Sequence, residues 1–469
     1  MTQVGTAEAP LRVAIVGSGP AGFYTAEHLF KRGDLVAHVD MFERLPMPFG
    51  LVRFGVAPDH QKIKAAAKAF DRVAARPTFR LFGNVDFGSH VTLEDLHRHY
   101  HAICFATGAQ TDRSMGIPGE DLGGSHPATE FVAWYNGHPD YRDCRFNLAA
   151  ERVVVVGVGN VAVDVARILA RTPEELLKTD VADYALDALR ASGVKEICVL
   201  GRRGPAQAAF TNAELKELGE LEGAELHIPA EDVALDPLSS EQLEAADRAV
   251  RKKVELLQEF ASRAPAGRSK RLVLRFLVSP VELIADGDGN VASVRIVKNT
   301  LFRTEDGTLR PRATDVFEEL PAQLVFRSVG YRGVPLAGVP FDDRRGVVPN
   351  EQGRVVSQES GGPVPGLYVS GWIKRGPTGI IGTNKPDAGE TVESLLADVA
   401  AGAVLRPPDP DPGAVERLLR ERQPEVVSFD DWRRIDAAEM ASGAAAGRPR
   451  VKLTSVQDAL DVVRRTRSR

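Results

Sequence analysis

Residues 11–22 read LRVAIVGSGPAG, and residues 152–162 read RVVVVGVGNVA. In each stretch a short run rich in β-branched residues leads into a Gly-x-Gly-x-x-Gly/Ala spacing, and a helical pattern follows. A strand, a glycine turn and a helix in this order form the nucleotide-binding half of a doubly wound sheet. We therefore predict an α/β protein with two Rossmann-like dinucleotide-binding domains.

The first glycine loop contains Gly17, Gly19 and Gly22. In this spacing the first glycine permits a tight turn, the second lets backbone approach a pyrophosphate, and the third lets helix and strand pack closely. The pyrophosphate then rests on the helix N-terminus, where free N–H groups and the helix dipole favour an anion. Glu43 ends the second strand, where a carboxylate accepts hydrogen bonds from a ribose and repels a 2′-phosphate. This loop is predicted to hold FAD or NAD rather than NADP.

The second loop has Gly157 and Gly159, with Ala162 in the third place, which is an accepted variant. Its second strand, KEICVL, ends without an acidic residue and is followed by Arg202 and Arg203. Guanidinium groups pair bidentately with phosphate oxygens and so select an adenosine 2′-phosphate. An insertion between loop and strand explains their long separation. We predict an NADPH site, although a solvated arginine pair at a turn would look the same in sequence.

The composition narrows the class of protein. Of 469 residues, 43% are hydrophobic and 26% charged, with a formal net charge of −5, which fits a globular chain of roughly two to four domains and no general nucleic-acid binder. The cysteines Cys104, Cys144 and Cys198 lie far apart without C-x-x-C spacing. We therefore expect no disulfide framework, iron–sulfur cluster or metal site. The start MTQVGTAEAP lacks signal features and no stretch is apolar enough for a membrane span, so a cytoplasmic location is predicted.

The order of strands along the chain indicates that one domain interrupts the other. HAICFATGAQ connects the first glycine unit to the second, and AQLVFRSVGYRG and GLYVSGW provide further strands after the second unit. We predict a first FAD segment at 1–109, an NADP domain at 110–326 and a second FAD segment at 327–469. The Pro-, Arg- and Ala-rich end of the last segment is expected to form a loosely packed C-terminal extension.

Five segments together resemble a known family. GSGPAGFYTAEHL, PFGLVRFGVAPDH, GVGNVAVDVARIL, GRRGPAQAAFT and GWIKRGPTGIIGT, with FDDWRRIDAAEM near the end, are similar to adrenodoxin-reductase-type ferredoxin–NADP⁺ reductases, the bacterial members above all. The resemblance implies an NADP domain inserted in an FAD domain. It implies hydride transfer between NADPH and FAD, followed by single-electron transfer to a ferredoxin-type iron–sulfur protein. The stretch IIGTNKPDAGET departs in detail from the family pattern.

The resemblance and the loop chemistry together assign the site residues. Those predicted to bind FAD are Gly17, Gly19, Pro20, Ala21, Gly22, Glu43, Leu51, Val85, Trp372, Gly379, Ile380 and Ile381. Those predicted to bind NADP are Val158, Gly159, Asn160, Val161, Arg202, Arg203, Glu214 and Gly379. The resemblance further implies that His60 and Glu217 lie near the nicotinamide and act in catalysis. Periodicity alone does not separate Glu214 from Glu217, because both lie on one helical face at i, i+3.

The electron acceptor is expected to be an acidic ferredoxin, which calls for a basic docking face on a monomeric enzyme. Lys64, Lys68 and Arg72 fall at i, i+4, i+8 and would share one face of a helix, for which an ordinary solvated face is the favoured interpretation and a docking face the alternative. Lys374 and Arg375 are a second candidate.

Other functions remain open at this level. A disulfide reductase would need a cysteine pair, and a glutamate-synthase-type subunit would need cysteine clusters; both are missing from the sequence. A flavin monooxygenase, a non-catalytic FAD-binding protein, and an NADPH-dependent diaphorase or oxidase with another acceptor remain alternatives.

Overall fold

The computed structural model describes residues 4–467 of the chain, and strands and helices alternate along most of this length. The strands are β1 (Leu11–Val16), β2 (Ala37–Glu43), β3 (Phe79–Gly83), β4 (Ala102–Phe105), β5 (Thr111–Asp112), β6 (Ser125–Pro127), β7 (Arg152–Val156), β8 (Glu196–Leu200), β9 (Ala224–His227), β10 (Lys270–Arg275), β11 (Val278–Ala285), β12 (Val291–Arg303), β13 (Leu309–Pro321), β14 (Leu324–Arg327), β15 (Tyr331–Arg332), β16 (Asn350–Glu351), β17 (Arg354–Val356) and β18 (Pro363–Val369).

The helices are α1 (Pro20–Phe30), α2 (Leu51–Phe54), α3 (Gln61–Lys64), α4 (Ala67–Ala74), α5 (Leu93–His99), α6 (Ala128–Tyr135), α7 (Asn160–Ala170), α8 (Pro173–Leu177), α9 (Asp183–Arg190), α10 (Asn212–Leu218), α11 (Pro237–Ala245), α12 (Arg248–Ala261), α13 (Trp372–Arg375), α14 (Asn384–Ala401), α15 (Pro412–Arg422), α16 (Phe429–Ala445) and α17 (Val456–Arg467). Among the described residues, none of these helices combines the length and the low polarity needed to cross a bilayer.

The chain divides into two compact units. The first unit comprises the chain up to Val56, His60–Thr111 and the chain from Gly330 onward; the second comprises Ala57–Asp59 and Asp112–Val329. The second unit is thus one continuous stretch of chain plus the three residues Ala57–Asp59, and the first unit is made from both ends of the chain. The predicted boundaries at 109/110 and 326/327, and the cofactor assigned to each domain, stay predictions.

The first unit is organised around a seven-stranded sheet with the order β16-β17-β18-β4-β1-β2-β3. The five strands from β18 to β3 are parallel, and β16 and β17 add an antiparallel edge. All six residues of β1 are buried, because β1 lies between β4 and β2 and helices cover both faces. This double covering explains why the strand is continuously apolar rather than alternating.

The end of the chain is packed into the first unit, so the prediction of a loosely packed extension is wrong. Trp432 and Ile435 of α16, and Leu460 and Val463 of α17, belong to the same buried apolar cluster as Val13 of β1. The apolar residues of α16 recur at a spacing of three, which fits one buried helical stripe. The many alanines and arginines around this stripe concealed it in the sequence.

The second unit has a six-stranded parallel sheet with the order β6-β14-β7-β8-β10-β9. A separate antiparallel sheet, β11-β12-β13, follows it in the chain. Each unit therefore carries one strand–glycine loop–helix–strand element, β1-α1-β2 in the first and β7-α7-β8 in the second. The predicted α/β class with two Rossmann-like units is confirmed.

Candidate nucleotide-binding sites

The first glycine loop is shaped by two close backbone approaches. Gly17 has φ 107°, and a Cβ there would lie 2.5 Å from the carbonyl oxygen of Ala106. A Cβ at Gly22 would lie 2.2 Å from the carbonyl oxygen of Gly17. Both distances are shorter than any non-bonded carbon–oxygen contact allows, so only glycine permits this turn. Gly19 differs from both, because a Cβ there would meet no protein atom within 4 Å.

The open space beside Gly19 lies next to the N-terminus of α1 and has the features that an anion site requires. Gly19 is the residue before α1, it offers no side chain to cap the helix, and Pro20 occupies the first helical position. The first-turn N–H groups, including those of Ala21 and Gly22, have no partner within the helix. Free N–H groups, a helix dipole and room where a Cβ would lie suit a pyrophosphate. The residues present thus fit the diphosphate of FAD.

Glu43 stands at the end of β2 with a fixed orientation. Its carboxylate accepts hydrogen bonds from the Ser18 N–H (3.2 Å) and hydroxyl (2.6 Å), and from the Leu45 N–H (3.0 Å). Its backbone oxygen accepts from the N–H of Val85, which is buried just after β3. A carboxylate has about four acceptor positions, so capacity for ribose hydroxyls remains.

Two further predicted FAD residues begin short helices. Leu51 begins α2 directly after Gly50, and a Cβ at Gly50 would lie 3.1 Å from the Cα of Gly19. Leu51 therefore lies beside the first glycine loop. Trp372 begins α13, its indole N–H donates to the Thr378 carbonyl (3.1 Å), and its ring packs 5.3 Å from that of Tyr331.

The predicted flavin loop Gly379–Ile381 is open at its surface. Gly379 has φ 81° and Ile380 is 60% exposed, which is unusual for so large an apolar side chain. The loop leads into α14. These residues lie in the first unit, and their assignment to a flavin stays a prediction.

The lysine near this loop is not a docking residue. The Lys374 side chain is only 6% exposed and pairs with Asp387 (3.2 Å) and Glu390 (2.6 Å). Arg375 donates to the Asn384 side chain (2.9 Å), so both cations hold the start of α14. Their suggested role as a basic docking pair is wrong, because their charges are satisfied internally.

The second glycine loop repeats the first in the second unit. Gly157 has φ 127°, and a Cβ there would lie 2.3 Å from the carbonyl oxygen of Ser328. Gly159 precedes α7 without a side-chain cap and has no atom near its missing Cβ. Asn160, the first residue of α7, accepts a hydrogen bond from the Thr211 N–H (3.0 Å). Val158 and Val161 flank this turn, as the strand-turn-helix spacing requires.

Arg202 and Arg203 follow β8 and form a pair of adjacent cations in the second unit. Among residues 4–467, neither guanidinium has a hydrogen-bond or ion-pair partner, whereas the Arg202 carbonyl accepts from the Asn299 side chain (2.9 Å). Burial, and then the charge of Arg202, lowers the pKa of Arg203. Two adjacent cations without a counter-charge, on an anchored backbone, fit a phosphate dianion.

A fully buried arginine, Arg167 in α7, forms ion pairs with several acidic side chains of the second unit. Its guanidinium contacts Asp59 (2.7 Å), Asp164 (2.7 Å), Glu214 (3.2 Å) and Glu217 (3.5 Å). Burial alone would lower the pKa of Arg167, but the Asp164 and Asp59 carboxylates raise it above its usual value. Sequence reasoning missed this residue, although Asp164 and Arg167 at i, i+3 in an apolar helix were a visible signal.

The two predicted catalytic residues belong to different units. His60 precedes α3 in the first unit and is 9% exposed, while Glu217 lies on α10 in the second. Glu214 and Glu217 lie within ion-pair distance of the same guanidinium, as two residues on one helix face should. The pairing of His60 with Glu217, the choice between the two glutamates and the role of Gly379 at both cofactors stay predictions.

The cysteines lack the character of redox thiols. Burial raises the pKa of Cys104 to about 12 and that of Cys198 to about 12, and it also raises the pKa of Cys144. Thiol–disulfide exchange needs a thiolate, so these side chains are suited to packing rather than to exchange.

The predicted basic stripe is not a single helix. Lys64 ends α3, whereas Lys68 and Arg72 lie on α4, and the chain between them tightens to i→i+3 hydrogen bonds at Ala66. The assumed 3.6-residue period therefore fails at this point. Lys68 and Arg72 remain exposed and one helical turn apart.

We expect the two loop positions Gly19 and Gly22 to respond differently to alanine. Gly19→Ala should leave the melting temperature of the flavin-free protein unchanged and abolish FAD binding, because its methyl group fills ligand space only. Gly22→Ala should cost about 3 kcal/mol or more of folding free energy, because its methyl group overlaps backbone. Flavin content and thermal unfolding measure both effects, and a Gly19→Ala protein with its full complement of FAD would contradict the assignment.

Comparisons with known proteins agree with this geometry. The family model for pyridine nucleotide-disulphide oxidoreductases matches residues 11–197. NADPH-ferredoxin reductase FprA of Mycobacterium tuberculosis is 47% identical over 462 residues, which cover 97% of this chain and 99% of the relative. The mitochondrial NADPH:adrenodoxin oxidoreductase of Arabidopsis thaliana is 42% identical over 461 residues, covering 96% of this chain and 95% of the relative.

A solved structure extends the similarity to three dimensions. Mycobacterium tuberculosis FprA in complex with NADPH has a TM-score of 0.91 to this chain at 46% sequence identity, with 97% of this chain and 99% of that chain covered. Identity at this level over nearly the whole length of both chains is decisive for family membership. The chain belongs to the adrenodoxin-reductase-type NADPH–ferredoxin reductases, within the pyridine nucleotide-disulphide oxidoreductase flavoproteins.

Proposed function

We propose that this chain is an FAD-dependent NADPH–ferredoxin reductase that takes a hydride from NADPH and passes electrons singly to an iron–sulfur protein. One observation carries the proposal. The two glycine loops have the same geometry, but the strand that follows each loop and its helix ends in side chains of opposite charge. Glu43 follows the first loop, and Arg202 and Arg203, whose guanidinium groups have no partner among residues 4–467, follow the second. A carboxylate rejects a 2′-phosphate and guanidinium groups attract one, so the two sites select different nucleotides.

Bound FAD supplies the essential chemistry, since a flavin accepts electrons as a pair and releases them one at a time. The protein needs no proton donor for the hydride step, so its part is positioning and electrostatics. The N-terminus of α1 binds a diphosphate in the first unit, and that of α7 does the same in the second. Trp372 provides a flat wall beside the exposed loop at Gly379–Ile381, which leaves room for a ring system.

Arg167 positions acidic side chains of the second unit near the proposed NADP site. It pairs with Glu214 and Glu217, and it also pairs with Asp59, the residue before His60 in the chain. We assign His60 and Glu217 to orientation of the nicotinamide. Glu214, 7% exposed and bonded to Arg167, supports the NADP site from the same helix face.

The relatives are named for ferredoxin or adrenodoxin as partner. We extend this to an acidic ferredoxin that docks on the exposed cations Lys68 and Arg72 of α4. The proposal includes a monomeric enzyme working in the cytoplasm, where the buried thiols stay reduced.

The nucleotide assignment is tested by Arg202→Ala and Arg203→Ala, singly and together. Each loses charge-assisted hydrogen bonds worth roughly 1.5–3 kcal/mol, so the KM for NADPH should rise at least about tenfold per substitution, with little change in kcat. The KM for NADH should not change. Anaerobic stopped-flow reduction of the bound flavin by each nucleotide provides the measurement.

Arg190→Ala serves as the control for this series, because Arg190 is a half-exposed surface residue of the same unit that pairs only with Asp187 among the described residues. It should leave both nucleotides unaffected. Equal losses for NADPH and NADH in the Arg202 and Arg203 variants would refute 2′-phosphate selection.

Ferredoxin docking is tested by Lys68→Glu with Arg72→Glu. The double variant should raise the KM for an acidic ferredoxin about tenfold or more, because attraction becomes repulsion, while NADPH-driven reduction of a neutral small-molecule dye stays normal. Rates of ferredoxin reduction by the unmodified protein should fall as salt rises.

The double variant Arg190→Glu with Lys195→Glu makes the same change of charge on two exposed cations of the second unit. If it slows ferredoxin reduction as much as the α4 variant, the effect comes from net charge and the docking face is refuted. Salt-independent reduction would lead to the same conclusion.

A further inference from the structure

The segment Phe49–Phe54 lies against the first glycine loop in a strained conformation. Phe49 is a non-glycine residue with φ 84°, and Gly50 follows with φ 49°. The Phe49 N–H donates to the Ser18 carbonyl (3.0 Å), and Gly50 approaches Gly19 closely. Positive φ at an aromatic residue persists only where the surroundings impose it. Something must therefore hold this segment in place.

Part of the restraint comes from aromatic rings of the C-terminal helix α16. The Phe49 ring lies edge-on to Trp432 (5.6 Å between centroids) and to Phe429 (6.4 Å). On its other side it meets Phe23 of α1 at 5.4 Å. The turn is thus clamped between the helix that begins at the glycine loop and a helix nearly 400 residues later in the chain.

The rest of the restraint is a buried ion pair. Arg53, in α2, donates two parallel hydrogen bonds to the Glu439 carboxylate, at 2.9 and 2.5 Å. The two side chains are 4% and 0% exposed. The Arg53 guanidinium also lies 5.2 Å from the centre of the Trp432 ring. Because both nitrogens of the planar guanidinium are bonded, the pair fixes the direction of the Arg53 side chain as well as its distance from Glu439. This restricts the orientation of α2.

Glu439 is itself held by the segment that follows α16. Its carboxylate also accepts from Arg450 (3.0 Å) and from the Leu453 N–H (2.7 Å), and Lys452 donates to the Arg53 carbonyl (3.3 Å). Burial pushes the pKa of Glu439 up, but Arg53 and Arg450 outweigh this and hold it below its usual value. The Glu439 carboxylate therefore connects α2 to the C-terminal segment through hydrogen bonds to both.

We propose that Glu439 is a positioning residue for the flavin, acting through Arg53, and that the C-terminal helix α16 contributes to the FAD site only through the side chains that contact residues 49–54. The proposal rests on the proposed function and on the sequence-based prediction that Leu51 of α2 contacts FAD. Leu51 lies between the Phe49–Gly50 turn and Arg53, and both of these flanking points are held by the C-terminal segment. Releasing Arg53 frees α2 while leaving the glycine loop intact.

A buried ion pair is a poor device for stability alone, because desolvation of the charges offsets most of their attraction. Well-packed apolar residues would hold two helices together at least as well. The two parallel hydrogen bonds between Arg53 and Glu439 instead provide a defined geometry. This argues that the pair serves the placement of α2, which a stability measurement alone would not detect.

The test uses Glu439→Gln, which keeps the shape of the side chain and removes its charge. The matched control is Asp431→Asn, on the same helix. Asp431 is also a buried carboxylate, 2% exposed, and it pairs with Arg434 and Arg467, both in the C-terminal helices. Both changes therefore weaken the C-terminal region, but only the first releases α2.

The readouts are the rate of FAD release from the holoprotein, followed by flavin fluorescence, the flavin absorption spectrum, and unfolding by circular dichroism. We expect Glu439→Gln to speed FAD release about tenfold or more and to shift the flavin spectrum, since two charge-assisted bonds are lost. Asp431→Asn should lower the unfolding temperature similarly with FAD release within about twofold of the parent, as its bonds do not reach α2.

Equal FAD release in the two variants would overturn the proposal. Should Glu439→Gln fail to fold, Arg53→Lys decides: it keeps the charge but loses the fork, so faster FAD release with near-normal unfolding supports the proposal, and unchanged release overturns it. A parent protein that binds no FAD at all would instead refute the proposed function, which keeps the two failures distinct.

Discussion

Both units depend on how closely a strand, a turn and a helix approach one another at a glycine. In the first unit the missing side chain of Gly22 leaves room for the carbonyl of Gly17, and in the second the missing side chain of Gly157 leaves room for the carbonyl of Ser328. These approaches place a helix N-terminus at the carboxyl end of a central parallel strand. A larger residue at either point would move the helix, and the anion site with it.

On this shared design, the proposed function assigns the selectivity to one or two side chains at the end of the next strand. Glu43 is anchored by Ser18 and Leu45, so its charge is fixed in place. Arg202 and Arg203 lack counter-charges among the described residues, and a phosphate bound as proposed would relieve the resulting repulsion. In the proposed function, the same scaffold thus distinguishes two nucleotides through the sign of a local charge.

Much of this was predictable because it is local in sequence. The glycine spacing, Glu43 and the arginine pair all lie within one strand–turn–helix–strand element, where periodicity and residue chemistry are sufficient guides. The family resemblance then extended the prediction to residues of other segments, such as Leu51 and Trp372.

What sequence reasoning missed depends on partners far apart in the chain. Arg53 and Glu439 are separated by 386 positions, and nothing local marks either as buried. Lys374 looked like a surface cation because its neutralising partners lie one helix later. The packed C-terminal helices were mistaken for a loose extension for the same reason. Their apolar stripe is buried by residues distant in the chain, and the local sequence does not show those residues.

The most direct test of the central claim, that one chain binds two nucleotides and transfers reducing equivalents between them, is an anaerobic titration of the purified protein followed by visible absorption. The account predicts a yellow protein with one FAD per chain, whose flavin absorption is lost rapidly on adding about one equivalent of NADPH and far more slowly with the same amount of NADH. A protein that stays colourless after incubation with FAD, or a flavin that NADPH does not bleach, would contradict it.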